Sequence, residues 1–228
     1  MQFNDTYPTT VFSSDGTLQA CDRALTAGLK GALSLGINSQ NGAVISTVKI
    51  NNRMIDSSKT YKITKLNQNI GLVYSGLQPD YRVLCNYIHK MIEGYESKFE
   101  NMYVDTFVDR LSRILQEFTI KESTRPLGLL LLVAGRTHNN LSKLYTLDPS
   151  GSYQEIKCGA IGRDYSDALK YLERRQESLE DNMTTAVSCL KEYAGAEKAS
   201  LVEVAIVDQQ GFRILDSEEV REVYENIQ

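Results

Sequence analysis

The sequence is poor in the residues that usually carry chemistry. It has two histidines and four cysteines in 228 residues. Cys21, Cys85, Cys158 and Cys189 are widely scattered, none forms a Cys-x-x-Cys pair, and His89 and His138 stand apart, so no zinc spacing can be written. The thiols are expected to be free core groups in a reducing compartment. No charge of one sign dominates: 25 Lys and Arg against 29 Asp and Glu give a net −4. That leaves no basic stripe for a phosphate backbone, and no nucleic-acid partner is expected. No long apolar run is present either. The longest, Leu127 to Gly135, is about half of the ~20 residues a membrane helix needs, which predicts a buried strand and no membrane partner. Met1-Gln2-Phe3-Asn4-Asp5 has neither a basic nor an apolar region, so no signal peptide is expected.

What is present is average for a globular chain: 42% apolar and 24% charged residues. The length suits one large domain, read as 1–228, with 1–16 a flexible polar segment and 17–30 a leading helix. Ser14-Asp15-Gly16-Thr17 looks like a helix start. Leu18, Cys21, Leu25 and Leu29 then recur on one face, and Gly28 and Gly31 end the helix. Strands are predicted at 32–37, 43–50, 60–66 and 70–74, with Asn41-Gly42 supplying positive φ at a hairpin turn. Two long amphipathic helices follow, from Asp80 to Phe99 and from Val104 to Phe118, stopped by Arg125-Pro126. Strands are expected again at 127–134, 142–147 and 152–157. Helices come next at 164–176 and 179–193, then strands at 201–207 and 212–215. Asp216 with Glu219 forms a capping-box pattern for a last helix. Helices and strands come in blocks, which points to an α+β fold of antiparallel sheets with stacked helix pairs rather than a Rossmann fold.

No catalytic constellation is visible in these residues. Gly159-Ala160-Ile161-Gly162 lacks the spacing and the following Lys-Ser or Lys-Thr of a phosphate loop, and reads as a turn before a helix. His89 and His138 are expected to be solvent-facing or structural. The acid runs at 177–181 and 216–219 suit helix N-termini. No cofactor is implied.

Five short motifs, in order, nevertheless resemble one family. They are Phe12-Ser13-Ser14-Asp15-Gly16-Thr17-Leu18 and Gly71-Leu72-Val73-Tyr74-Ser75-Gly76-Leu77 with Pro79-Asp80-Tyr81-Arg82-Val83-Leu84. Then come Arg125-Pro126-Leu127-Gly128, Asp148-Pro149-Ser150-Gly151-Ser152-Tyr153 with Ala160-Ile161-Gly162, and Glu203-Val204-Ala205-Ile206. Over nearly the whole chain they resemble the alpha-type subunits of the proteasome core particle, most like the second alpha type. The resemblance implies a four-layer αββα sandwich, the N-terminal-nucleophile hydrolase architecture, with an extra leading helix across the cleft. It implies a place in a heptameric ring, with other alpha subunits, the adjacent beta subunits and activator particles as partners. It also implies a part in ubiquitin-dependent degradation, in cytoplasm and nucleus.

Catalytic relatives use an N-terminal threonine whose own α-amine is the base. Alignment places Ala32 at the nucleophile, Val48 at the aspartate and Lys62 at the lysine position. The resemblance therefore implies a non-catalytic subunit. Gly16-Thr17 mimics a processing site, yet cleavage there would leave the new N-terminus on a helix rather than at a strand end. The family match also makes Lys62, with Gly76 and Leu77, the candidate pocket for an activator's C-terminal carboxylate. The gate positions read Asp5-Thr6-Tyr7, Ser14, Asp22 and Arg23, where typical members have a Tyr-Asp-Arg triplet, proline, glutamate and tyrosine. Those departures imply a weaker or different open-gate cluster. The alternatives are an active beta-type threonine peptidase and a small-molecule-binding α+β protein, which would need a pocket with convergent polar groups.

Overall fold

The apolar run too short for a membrane is a strand with both faces buried. The computed structural model describes residues 10–49, 54, 60–173 and 179–227, excepting the side chains of 179 and 180. In it the run becomes β5 (Leu129–Arg136). Leu129, Leu131 and Val133 face helices, while Leu130, Leu132 and Ala134 face a second sheet. With no face in water, polar alternation has no place.

The chain begins with α1 (Gln19–Leu29), β1 (Ser34–Ser39), β2 (Gly42–Val48), β3 (Ile63–Lys65) and β4 (Ile70–Gly76). Next come α2 (Gln78–Glu96) and α3 (Val104–Ile120), then β5, β6 (Ser142–Leu147), β7 (Tyr153–Glu155) and β8 (Cys158–Ile161). The chain closes with α4 (Tyr165–Glu173), α5 (Leu179–Tyr193), β9 (Val202–Asp208), β10 (Gly211–Ile214) and α6 (Ser217–Glu225). One five-stranded sheet has the order β10-β9-β2-β1-β8 and the other β3-β4-β5-β6-β7. Every described pairing is antiparallel.

Three apolar clusters define four layers. Leu84, Ile88, Phe107 and Leu111 of α2 and α3 pack on Leu72, Leu131 and Val133. Leu35, Val44 and Val204 of the other sheet pack on Ala168, Val187, Leu190 and Val220 of α4, α5 and α6. Between the sheets lie Ile45, Val73, Leu132, Leu144, Val207 and Phe212. This is the expected αββα sandwich.

Local differences from the sequence reading have simple causes. Residues 14–17 form a turn, closed by the Gly16 N–H donating to the Ser13 carbonyl (2.9 Å), and α1 starts later at Gln19 with no side-chain cap. Its deeply buried residues are Ala24 and Gly28, while Leu25 is 37% exposed. Close backbone approach favours small residues over leucines there. The first hairpin turns on Gln40 and Asn41, neither with positive φ, and Gly42 opens the next strand. Residues 158–161 are a strand rather than a turn, because β1 pairs with them from Ser34↔Ile161 to Ile37↔Cys158. Residues 174–176 of the predicted fourth helix lie outside the described residues.

Candidate functional site

Two of the family motifs, at 71–77 and 125–128, meet where α1 crosses the ends of β4 and β5. A Cβ on Gly28 would stand 2.9 Å from Leu130 Cγ, and one on Gly31 would collide with Ser75 and Gly76. Ser75 Oγ donates to the Gly28 carbonyl (2.9 Å). Gly76 has φ +123, and any Cβ there would meet the Gly128 carbonyl oxygen, so glycine is required on both counts. Leu77 N–H donates to that same carbonyl (3.0 Å).

Beside this seam, Asp80 at the start of α2 receives Arg125. The two guanidinium nitrogens donate to Asp80 Oδ2 and Oδ1 at 2.7 and 2.8 Å, and the Gly128 N–H adds a third bond at 2.9 Å. Burial alone would raise the Asp80 carboxyl, but the guanidinium and the Gly128 N–H hold it below its ordinary value. Two motifs, Pro79-Asp80-Tyr81 and Arg125-Pro126-Leu127-Gly128, are therefore one structural unit.

Lys62 lies just before β3 and is 7% exposed. Its Nζ donates to Thr47 Oγ1 (3.1 Å) and to the Ala32 carbonyl (3.5 Å), and stands 5.4 Å from the centre of the Tyr74 ring. Thr47 Oγ1 donates to the Leu33 carbonyl (3.1 Å) and lies 2.7 Å from Ser34 Oγ. The main chain of Lys62 is held separately. Glu203 Oε2 accepts its N–H (3.0 Å), and Glu203 Oε1 accepts that of Ile63 (3.3 Å). Thr47 and Glu203 are register partners on β2 and β9, and Ser34 and Thr47 on β1 and β2. A polar row thus crosses three strands at one end of the inter-sheet core and grips Lys62 at both ends. Burial lowers the Lys62 amine to about 8, with the Glu203 charge opposing the drop. Burial raises the Glu203 carboxyl, against the pull of the Lys62 and Ile63 N–H groups and the Lys49 and Lys62 charges.

The alignment that pairs position 32 with Lys62 is matched in space, since the ammonium touches the Ala32 carbonyl. From β2, however, Thr47 faces the lysine. Val48 points the other way, into the core against α4 to α6. Residue 32 has no nucleophilic atom, and its nitrogen lies in a peptide bond after α1. A cavity of about 330 Å³ adjoins Ala32, Val48 and Arg163 but is not lined by Lys62. Among the described residues no cluster of three or more His, Cys, Asp or Glu could hold a metal ion. No helix among them is long and apolar enough to cross a membrane. All four cysteines are free, and His89 and His138 are exposed.

Gly76 stands in the same neighbourhood as Lys62, joined through Gly31 and Ala32, while Leu77 is 44% exposed at the rim. Ser14, Asp22 and Arg23 are exposed on and before α1, with Arg23 reaching Gln19 Oε1 (3.5 Å). Asp5, Thr6 and Tyr7 lie outside the described residues. The sequence reading missed Thr47 and Glu203 as partners of Lys62. The available signal was Glu203 itself, a lone acid in the apolar stretch Val202 to Val207.

The proteasome subunit family model matches residues 29–207. Proteasome subunit alpha type-2 of Oryza sativa subsp. indica is 38% identical over 226 residues, spanning 96% of both chains. The alpha type-2 subunit of Dictyostelium discoideum is 35% identical over 233 residues and all of both chains. That of Drosophila melanogaster is 34% identical over 224 residues, 96% of this chain and 95% of its own. The glycine seam, the Asp80–Arg125 unit and the αββα sandwich thus sit on a matched sequence, and the chain belongs to the proteasome subunit family as a member of its alpha type.

Proposed function

We propose that this chain is a non-catalytic ring subunit of a proteasome core particle, the second alpha position of a heptamer. Its neighbours are other alpha subunits, with a beta ring beneath and activator particles above. Residues 1–16 contribute to the gate over the entry pore, and Lys62 with Gly76 and Leu77 receives an activator's C-terminal carboxylate. The particle serves ubiquitin-dependent degradation in cytoplasm and nucleus. The observation that carries the non-catalytic reading is Ala32. Residue 32, whose carbonyl the Lys62 ammonium reaches, carries a methyl group in place of a nucleophile and has no free α-amine. The docking role is supported by an ammonium held in place by two neutral acceptors, with one of its three donors left for an anion.

Native mass spectrometry of the tagged chain from its own cells tests the assembly. A complex of many distinct subunits of similar size, with this chain starting at residue 1 or 2, is expected. A monomer would overturn the ring assignment, and a chain starting at Thr17 would restore the peptidase alternative.

A further inference from the structure

Lys62 can present a charge only if two things hold. Its main chain must be fixed, because β3 is only three residues long and Lys62 stands just before it. Its ammonium must also stay protonated among apolar and neutral neighbours. Both requirements point to one residue 141 positions away. Glu203 sits on the opposite sheet and is 4% exposed. It spends both carboxylate oxygens on the consecutive N–H groups of Lys62 and Ile63. A buried carboxylate costs solvation, and here the two N–H bonds from one short segment, with the Lys49 and Lys62 charges, oppose that cost.

We propose that Glu203 is the positioning residue for Lys62, clamping its backbone across the two sheets and keeping its ammonium charged for an anionic carboxylate partner. This rests on the docking role proposed above for Lys62. The remaining groups around the ammonium cannot do this work. Thr47 and the Ala32 carbonyl are neutral, the Tyr74 ring on β4 adds a weak cation–π attraction, and its phenol is raised by burial and stays neutral. Lys49, beyond β2, carries a like charge and acts on Glu203. Burial brings the amine to about 8 with the Glu203 charge opposing the drop, so loss of that charge takes the amine further toward neutrality at working pH.

The test uses the assembled particle carrying Glu203→Gln, and separately Lys62→Met. First, the pH dependence of Lys62 modification by a lysine acylating reagent is read by mass spectrometry. The wild-type midpoint is expected near 8. In Glu203→Gln it is expected to drop by about one pH unit. Second, binding of a short fluorescent peptide with a free C-terminal carboxylate is compared with its C-terminal amide twin. Glu203→Gln is expected to weaken the carboxylate peptide about tenfold at pH 7.5 and leave the amide peptide unchanged. An unchanged labelling midpoint overturns the role of Glu203, whatever the peptide does. If Lys62→Met binds the carboxylate peptide like wild type, the docking reading falls and takes the docking half of this inference with it, while the labelling result still judges the electrostatic half. If Glu203→Gln does not assemble, Glu203→Asp keeps the charge on a shorter arm. A near-normal midpoint with weakened carboxylate binding is then expected, and wild-type binding overturns the clamp.

Discussion

Removing Arg125 separates the ion pair that joins α2 to the start of β5 from everything else in the seam. In Arg125→Ala the Asp80 carboxylate loses two of its three bonds and keeps only the Gly128 N–H. Charge-assisted bonds contribute roughly 1.5–3 kcal/mol each when shielded. The Arg125 side chain is 58% exposed, so solvent screens the pair, and a loss of about 1–2 kcal/mol is expected at pH 7. The pH dependence is the sharper test. In the wild type, a carboxyl held below its ordinary value adds stability above its unfolded pKa, and that stability is lost as pH falls through the lower folded value. In Arg125→Ala burial remains while the main opposing partner is gone, so the carboxyl rises and protonation relieves it in the mildly acid range. The cost of the substitution should therefore be full at pH 7 and shrink toward pH 4. Denaturant unfolding of the refolded chain at both pH values, followed by circular dichroism, measures it. The cycle with Asp80→Asn should show coupling of about 1 kcal/mol, since a neutral amide does not need the guanidinium. An equal cost at both pH values, together with no coupling, would refute the assignment.

Three other outcomes follow from the packing. Gly71→Ala would drive a methyl into the Phe212 ring and should cost about 1–3 kcal/mol, with Phe212→Leu recovering part of it in the double variant. Asp216→Ala removes both bonds to the Glu218 and Glu219 N–H groups and should lower stability by about 1 kcal/mol, with fraying confined to α6 in hydrogen exchange. Ala32→Thr should give no peptide hydrolysis above background in a fluorogenic assay. The new hydroxyl would lack a free α-amine, and the residue facing Lys62 from β2 would still be Thr47 rather than an acid; measurable turnover would contradict the geometry.

Much of the fold was legible because its signals are local. The continuous apolar run of β5, the periodic faces of α2 and α3 and the Asp216 capping box each depend on neighbours in sequence. β8 was not legible, since four residues with a glycine carry no period and only the register with β1 makes them a strand. The face of α1 was misjudged for a related reason. Its leucines have the right spacing, and Leu29 does pack on the inter-sheet core, yet β5 comes so close at Leu130 that the deepest seats go to Ala24 and Gly28 while Leu25 stays exposed. In the site, Lys62 was found through its motif, whereas its grip by Thr47 and Glu203 depends on cross-strand pairing between distant segments, which no window along the chain can reveal.

The glycine seam also orders events in time. α1 rests on Gly76, Gly128 and Leu130, a seat that exists only once β4 and β5 have paired. Those strands are separated in the chain by both long helices, so their pairing is slow to form. α1 precedes those strands in the chain yet is accordingly among the last of these elements to lock, and until it does the strand ends it covers stay open to solvent.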